Sequence, residues 1–576
     1  MNIADYQKIY FLGIKGAGMT ALAQVLQQMG KTVWGSDVSE PFFTDDILAR
    51  EKIKVLSPFA SEHITADIEL LVYSTAYSES NAEFAAAKRQ GVAMLSYPQA
   101  VGLLFQDRYG IAVCGTHGKT TTTAMLGYAL QELGADPLVI VGSDVPQLGG
   151  AARFGAGKYF VLEADEYQNK LQYYHPQAVI LTSADWDHPD YFPDQAAYSK
   201  VFKDFVARIP ADGLLVAFTD DPNVAEIAKS ASGEVVEYGT GGFKNFMPED
   251  PIFGGVGILL QARDGRFIWQ HRDMAAKKNP GMICPFGGKK KSHETSIQTL
   301  CREMMEELEL DVDPACVKKI GDFASHIMPG VNLELFYLDG VELEKLVLHE
   351  GEEILTMTLE EALANPKVTI FTKEVILAFQ GKKQPYLQVI GEHNVWNATA
   401  VLALLAKLGF NLGAAKKALG QFTGCKRRFE LLGEERGVLV YDDYAHHPVE
   451  VQKLLKAARG KFPERKIWAV FQAHTYTRTR ALLEDFGTSF TDADAVIVLP
   501  IFCSARETQG GVTPDDLVAK IHTRSQNVSY QGNLEQAAAY LAGAVQRGDV
   551  VLTIGAGENW KVGVALLEKL RIKTRN

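Results

Sequence analysis

Eight residues, Gly115-Thr116-His117-Gly118-Lys119-Thr120-Thr121-Thr122, constrain this chain more than any other stretch. Before them, Tyr109–Cys114 is a short apolar run bounded by turn signals, which predicts a buried parallel strand. After them, Ala124, Met125, Tyr128 and Ala129 recur at helical spacing, which predicts a helix from Lys119 to Leu133. A strand, a glycine turn and a helix opening on Lys-Thr form a phosphate cradle. Backbone N–H groups and the helix N-terminus face the anion, Lys119 supplies a point charge, and the Thr120 hydroxyl reaches Mg²⁺. Gly115, Thr116, His117, Gly118, Lys119, Thr120 and Thr121 are therefore candidate triphosphate ligands. The spacing departs from the full P-loop pattern, whose first glycine would fall at Val113. A glycine turn that only tightens a βα unit is the alternative.

A second glycine-rich turn lies near the N-terminus. A predicted strand, Lys8–Ile14, leads into Gly16-Ala17-Gly18-Met19-Thr20-Ala21, followed by a helix through Met29 and a strand, Thr32–Gly35, that ends at Asp37. Gly16, Gly18 and Met19 then face a pyrophosphate, and Asp37 a ribose hydroxyl. The motif fits a nicotinamide cofactor or any other nucleoside diphosphate. Beyond the phosphate loop, the predicted strand Tyr159–Leu162 ends at Glu163-Ala164-Asp165-Glu166, and Ala178–Leu181 ends at Asp185-Trp186-Asp187-His188 after three further residues. Ligands of open parallel sheets gather at the carboxyl ends of strands, so these acids point to Mg²⁺ around a triphosphate. Capping of the following helices is the other reading.

Length and charge narrow the classes. A chain of 576 residues is too long for one core. The formal charge of -12 argues against nucleic acid, which needs a basic face. No apolar run has membrane-spanning length, no secretory leader pattern opens the chain, and the six cysteines form no CxxC pair. The expectation is a cytoplasmic protein with neither a membrane nor a nucleic-acid partner.

GTHGKTTT, EADE and DHPD are followed by Gly391-Glu392-His393-Asn394-Val395-Trp396-Asn397-Ala398, Arg427-Arg428-Phe429-Glu430, Tyr441-Asp442-Asp443-Tyr444-Ala445-His446-His447-Pro448 and the run from Phe471 to Thr479. In this order they resemble the Mur ligase family, over residues 1 to about 245 and about 384 to 576. The resemblance implies an α/β protein with a Rossmann-like UDP-substrate domain (1–107), a P-loop ATPase (108–245 and 384–424) and a Rossmann-like amino-acid domain (425–576). It implies that Lys119 and Thr120 hold ATP phosphates and Mg²⁺, that Glu163 and His188 are metal ligands, and that His393, Asn394 and Asn397 lie against the nucleotide. Arg428, Tyr444, His446, His474 and Arg478 would approach the phosphorylated intermediate and the amino acid. The chain departs from the family at Thr182-Ser183-Ala184-Asp185, at Tyr167-Gln168-Asn169-Lys170, at Ala473 and at Glu558. Lys203 stands where some members carry a carbamylated lysine, although an exposed helix lysine fits the spacing as well.

The central domain is interrupted at residues 246–383. There a buried strand, Gly254–Leu260, precedes Gly288, Glu294 and Arg302-Glu303-Met304-Met305-Glu306-Glu307-Leu308-Glu309-Leu310. This resembles the Nudix box at every fixed position but the last glycine, which is Glu309. It implies an inserted α/β/α domain that hydrolyses an unidentified nucleoside diphosphate derivative with Mg²⁺ or Mn²⁺. Glu303, Glu306 and Glu307 share one helix face, suited to a divalent metal, with Arg302 fixing the cluster. Loss of the glycine predicts that the terminal turn is displaced while the ligands stay. Lys289-Lys290-Lys291 could attract phosphates, and Glu353 is a candidate base.

Together these readings predict an ADP-forming ligase. ATP would activate the lactyl carboxylate of UDP-N-acetylmuramate for attack by L-alanine, with Lys119, His188 and Arg478 catalytic, and Glu306 and Glu307 catalytic in the insert. The alternatives are a recycling ligase that adds a tripeptide, a ligase whose insert only regulates, a nicotinamide oxidoreductase, and a nucleotide sensor without turnover.

Overall fold

Strands buried on both faces read as unbroken apolar runs, and the runs in this chain assemble into four sheets. The structure is a computed structural model. It describes every residue except 1–2, 41, 43, 240–241, 244–254, 277–278, 292–293, 325–331, 381–386, 504–509, 526 and 573–576. The chain divides into two compact units, Met1–Val235 with Val389–Val401 and Phe422–Asn576, and Val236–Gln388 with Leu402–Gln421. The boundaries expected at 245/246 and 383/384 lie outside the described residues.

The first unit holds three of the sheets. In the N-terminal sheet five parallel strands run in the order Lys54–Leu56, Thr32–Ser36, Lys8–Leu12, Leu70–Tyr73, Ala93–Ser96. Strand order reverses at Lys8–Leu12, so the turn that follows it faces a crevice open to ligand. That strand ends two residues earlier than expected, because Gly13 turns the chain at φ +85°. In the central sheet Tyr109–Cys114 lies between Ala178–Leu181 and Tyr159–Glu163, parallel to both. Its carboxyl end is thereby surrounded by those of its neighbours. The C-terminal sheet runs Glu430–Glu435, Val438–Asp443, Val550–Ile554, Ile467–Phe471, Ala495–Val498, Val528–Tyr530, with only the first strand antiparallel.

The second unit is built on a mixed sheet. Gly255–Ala262 pairs in parallel with Asn332–Val341 and antiparallel with Phe267–His271. Leu300, Met304 and Leu308 of the helix Ser296–Leu308 pack on one face with Val256, Ile258 and Phe336. Ala362 and, from the helix Ile370–Phe379, Val375 and Ile376 pack on the other with Leu259, Trp269 and Leu335. Three layers result. The helix opens on a capping box, Thr295 with Gln298. Its end corrects one expectation: the terminal turn is not displaced. Glu309 itself takes the left-handed conformation, at φ 52°, a position at which a glycine carries no steric cost.

Among the described residues no helix is long and apolar enough to cross a membrane.

Candidate active site

The glycines of the phosphate loop allow close approach by its neighbours. A Cβ on Gly115 (φ +125°) would lie 2.6 Å from the Ser183 carbonyl oxygen and from Thr182 Oγ1. A Cβ on Gly118 (φ +81°) would lie 2.8 Å from Asn397 Oδ1. The His117 N–H donates to Ser183 Oγ at 2.8 Å, and Thr182 Oγ1 donates to the His117 carbonyl at 2.5 Å. The departure at Thr182-Ser183 is thus part of the loop's support. Helix Lys119–Glu132 starts at Gly118 with no side-chain cap, leaving its first N–H groups directed at the cradle.

Lys119 is folded back onto this loop. Its ammonium donates to the Gly115 carbonyl, to the Thr116 carbonyl at 3.2 Å and to Glu166 Oε2 at 3.1 Å. Burial alone would lower its pKa, but Glu166, Asp165 and Glu163 hold it above the usual lysine range. Glu166 is 1% exposed and also accepts from Tyr198 Oη at 2.8 Å. Asp165, Glu166 and His188 offer ligand atoms within 4.8 Å of one another, the one such group of three among the described residues. Two carboxylates and an imidazole beside a phosphate cradle suit Mg²⁺ or Mn²⁺. Of the expected ligands, His188 lies with Asp165 and Glu166, while Thr120 and Glu163 adjoin each other: Glu163 accepts from Thr120 Oγ1 at 2.7 Å and from the Gly142 N–H at 2.6 Å.

The C-terminal lobe closes one side of this site. Arg478 is buried and binds Asp187 with two donors, at 2.8 and 3.2 Å. Arg428 lies over the Tyr444 ring, with Nη2 3.4 Å from Thr120 Oγ1. His446 Nδ1 lies 3.0 Å from the Tyr444 carbonyl, and its ring meets that of His474 edge to face at 6.0 Å. Burial, with Arg478 nearby, drives the His446 pKa down to about 4, so the ring is neutral near pH 7. His117 behaves in the opposite way. Nδ1 is 3.1 Å from Glu450 and Nε2 is 3.2 Å from Asp185, the second contact ionic rather than a directed hydrogen bond. Burial lowers its pKa, the two carboxylates more than reverse this, and the result is about 9.

His393, Asn394 and Asn397 stand together at the start of the helix Glu392–Lys407. Asn397 donates to Asn394 Oδ1 at 3.1 Å, and burial with Lys453 and Arg428 pushes His393 down to about 4. Gly16, Gly18, Met19 and Asp37 belong to the separate N-terminal sheet. Gly16 caps a helix N-terminus, and a Cβ on Gly18 would lie 2.7 Å from Tyr97. Asp37 is turned inward, accepting from the Lys15 N–H at 2.7 Å, the Val38 N–H at 2.8 Å and Tyr77 Oη at 3.3 Å. Lys203 is a partly exposed helix residue whose ammonium pairs with Glu226 at 3.2 Å. An open hollow of about 420 Å³ between Gln106–Tyr109 and Ala156–Lys158 lies at the opposite end of the strand Tyr109–Cys114 and holds none of these residues.

In the second unit Arg302 gathers the acids. It donates to Glu294 at 2.8 and 3.0 Å, to Glu303 at 2.8 Å and to Glu306 at 2.9 Å. Glu307 turns away to accept from the Gly287 N–H at 3.1 Å, and burial, with Glu350 and Glu303 nearby, lifts its pKa to about 8. A Cβ on Gly288 would lie 2.1 Å from the Glu303 carboxyl carbon, which accounts for the glycine. Glu303, Glu306 and Glu307 share a helix, but their ligand atoms do not converge within the distance met by Asp165, Glu166 and His188. Of the late acids, Glu350 acts on the charge of the cluster. Glu353 pairs with His271 at 3.2 Å, while Glu350 pairs with Arg272 at 3.2 Å and raises the pKa of Glu303 and Glu307.

Residue-by-residue sequence reading missed Asp165, Glu166, Asp187 and Glu450. The first three sit inside quoted motifs at strand ends. Glu450 had a signal of its own, three residues past His447 in a capping box.

Comparison with known proteins adds an independent line. Family models match in three places: "Mur ligase family, catalytic domain" at residues 8–109, "Mur ligase middle domain" at 113–254, and "Mur ligase, glutamate ligase domain" at 427–557. No Nudix family model matches. A relative from Desulfitobacterium hafniense, described as a UDP-N-acetylmuramate–L-alanine ligase, is 34% identical over 561 residues, 97% of this chain and 99% of the relative. One from Caldanaerobacter subterraneus with the same description is 30% identical over 570 residues, 99% of each. Among solved structures, the UDP-N-acetylmuramate–alanine ligase of Thermotoga maritima superposes with a TM-score of 0.63 at 20% identity, covering 99% of this chain and 100% of that one. A murein peptide ligase from Psychrobacter arcticus gives 0.58 at 20% identity, covering 98% and 99%.

Proposed function

Because the chain belongs to the Mur ligase family, we propose that it joins L-alanine to the lactyl carboxylate of UDP-N-acetylmuramate at the expense of ATP. A free carboxylate is a poor electrophile with no good leaving group. Transfer of the γ-phosphoryl group makes an acyl phosphate, the amine of L-alanine attacks it, and the tetrahedral intermediate expels phosphate. The observation that carries this reading is that two cations of the C-terminal lobe reach the central domain beside Lys119 and the acids, Arg428 at Thr120 of the phosphate loop and Arg478 at Asp187, next to His188. Lys119 exchanges Glu166 for the phosphates, and the arginines neutralise charge as the phosphoryl group moves. A divalent cation held by Asp165, Glu166 and His188 would supply further neutralisation at the phosphate oxygens. Neutral His446 serves as a hydrogen-bond partner rather than a third charge.

The test is ATP-dependent phosphate release, assayed across amino acids and peptides. Release should need both UDP-N-acetylmuramate and L-alanine, with glycine and serine weaker by about 1–3 kcal/mol in discrimination. Faster turnover with a tripeptide would replace this reading with a recycling ligase. Turnover without an amino acid would remove it.

We further propose that the insert hydrolyses a nucleoside diphosphate derivative. The supporting observation is an acidic helix with its arginine in place and a buried Glu307 whose pKa stays raised although Arg272 acts against the shift. Wild type and Glu306→Gln, each assayed with Mn²⁺ on nucleoside di- and triphosphates and UDP-sugars, decide it. Equal rates, or no cleavage by either, would leave the segment a structural insert.

A further inference from the structure

Tyr167-Gln168-Asn169-Lys170, the departure that follows the EADE strand end, is used to build a second lysine into the candidate cation site. Gln168 and Asn169 both take left-handed conformations, at φ 55° and 54°, unusual for consecutive non-glycine residues. The double turn brings Lys170 back so that its ammonium pairs with Asp165 Oδ2. The Tyr167 N–H donates to Asp165 Oδ1 at 3.1 Å. The Tyr167 ring packs on the His188 ring at 4.6 Å, with its hydroxyl donating to Asp190 at 2.7 Å. Gln168 is held by Thr75, whose hydroxyl donates to its Oε1 at 3.1 Å. The segment thus touches two of the three side chains that would ligate a cation.

Each carboxylate of the site therefore has its own lysine, Lys119 on Glu166 and Lys170 on Asp165. These two carboxylates and two ammonium groups balance in charge and together offer a bare divalent cation little net attraction. The two lysines differ in what can draw them off. Lys119 lies in the phosphate loop and can pass to a triphosphate. Lys170 follows the neighbouring strand of the sheet, Tyr159–Glu163, and stays with Asp165. We infer that Lys170 is a built-in counterion that keeps the site from holding a divalent cation until the nucleotide arrives, making cation binding depend on ATP. This rests on the nucleotide-and-cation reading above. Lys170 is a positioning residue on this view, since it sets the charge of a ligand without touching substrate.

The experiment measures Mn²⁺ binding to the full chain from the free-ion EPR signal, with and without the non-hydrolysable analogue AMP-PNP. Wild type should bind Mn²⁺ weakly alone and at least tenfold more tightly with AMP-PNP. Lys170→Gln should bind Mn²⁺ at least fivefold more tightly than wild type without nucleotide, narrowing that ratio, while Lys170→Arg should behave as wild type. Lys200→Gln, which removes an exposed ion pair with Asp204 elsewhere on the same unit, should change nothing. Thermal melts of each variant confirm that it is folded, and Lys170→Met serves as a second neutral variant should Lys170→Gln prove unfolded. Lys170→Gln affinity within twofold of wild type overturns the inference while leaving the cation site standing. Absence of Mn²⁺ binding by wild type even with AMP-PNP overturns the cation reading and the inference with it.

Discussion

Two acidic clusters in this chain solve the same electrostatic problem differently. In the first unit each acid of the cluster meets its own cation: Glu166 meets Lys119, Asp165 meets Lys170 and Asp187 meets Arg478. In the second unit one arginine, Arg302, serves Glu294, Glu303 and Glu306, and Glu307 is left with a backbone N–H and a pKa raised to about 8. The first arrangement is balanced and depends on the tertiary fold. The second is local to one helix and short of positive charge. Removing a charge should therefore act with opposite sign in the two places.

The largest effect should come from Lys119→Ala. It removes the one ammonium in the phosphate loop and leaves Glu166 buried without its partner, a change that costs about 3–5 kcal/mol for buried pairs. Ligation should fall at least a thousandfold, about 4 kcal/mol of barrier, while cleavage by the insert is unchanged. A steady-state rate within tenfold of wild type would show that the balance does not matter to the chemistry.

Next in size is a pH effect at His117. Its pKa is raised from 6.5 to about 9 by Asp185 and Glu450 against the opposing effect of burial. A raised pKa gives stability that is full below pH 6.5 and lost as pH climbs through about 9. The loss should reach about 3 kcal/mol. Urea midpoints from pH 6 to 10 should fall for wild type, and the fall should be much smaller for His117→Asn. Parallel curves for the two proteins would mean that the ring carries no charge in the folded state. His393 and His446, lowered to about 4, give stability that is present above 6.5 and lost as pH falls through about 4, so they shape the acid limb instead.

How much of this was legible in the sequence follows from how local each feature is. The phosphate loop is contiguous, and its strand, glycines and helix appear where the pattern puts them. The acidic helix is equally local, so Arg302 pinning Glu294, Glu303 and Glu306 could be read from spacing alone. Spacing also promised a shared metal face, and there it stopped short. Sharing a face does not bring carboxylate oxygens together when an arginine lies among them and Glu307 bonds the backbone. Asp187 and Glu450 needed the tertiary fold, because their partners Arg478 and His117 are 291 and 333 residues away. Asp37, placed by position as a ribose ligand, also serves the turn at Lys15, a use no periodicity reveals.

Arg478→Lys tests whether Asp187 needs a fork or only a charge. The guanidinium bonds both oxygens of Asp187 and also donates to the His474 carbonyl at 2.9 Å. A lysine keeps the charge and loses the paired geometry. Turnover should drop about thirtyfold, about 2 kcal/mol, with the fold retained. An unchanged kcat/KM would reduce this pair to charge alone.

The smallest effect tests the comparison most directly, because it turns on sign. Glu166→Gln removes a charge that Lys119 matches, so the ammonium is left buried beside a neutral amide and the protein should melt lower. Glu307→Gln removes a charge that Arg272 offsets only in part, since its pKa stays raised. The amide keeps an oxygen for the Gly287 N–H while ending the repulsion from Glu350 and Glu303. In metal-free buffer at pH 8 the second unit should gain on the order of 1 kcal/mol, read as a higher transition for that unit in calorimetry. Saturating Mn²⁺ should cancel the gain if the helix is a metal site, because the ion stabilises the wild-type carboxylate and not the amide. Destabilisation by both substitutions in metal-free buffer would mean that Glu307 is balanced by a cation after all, and the contrast between the two clusters would fall.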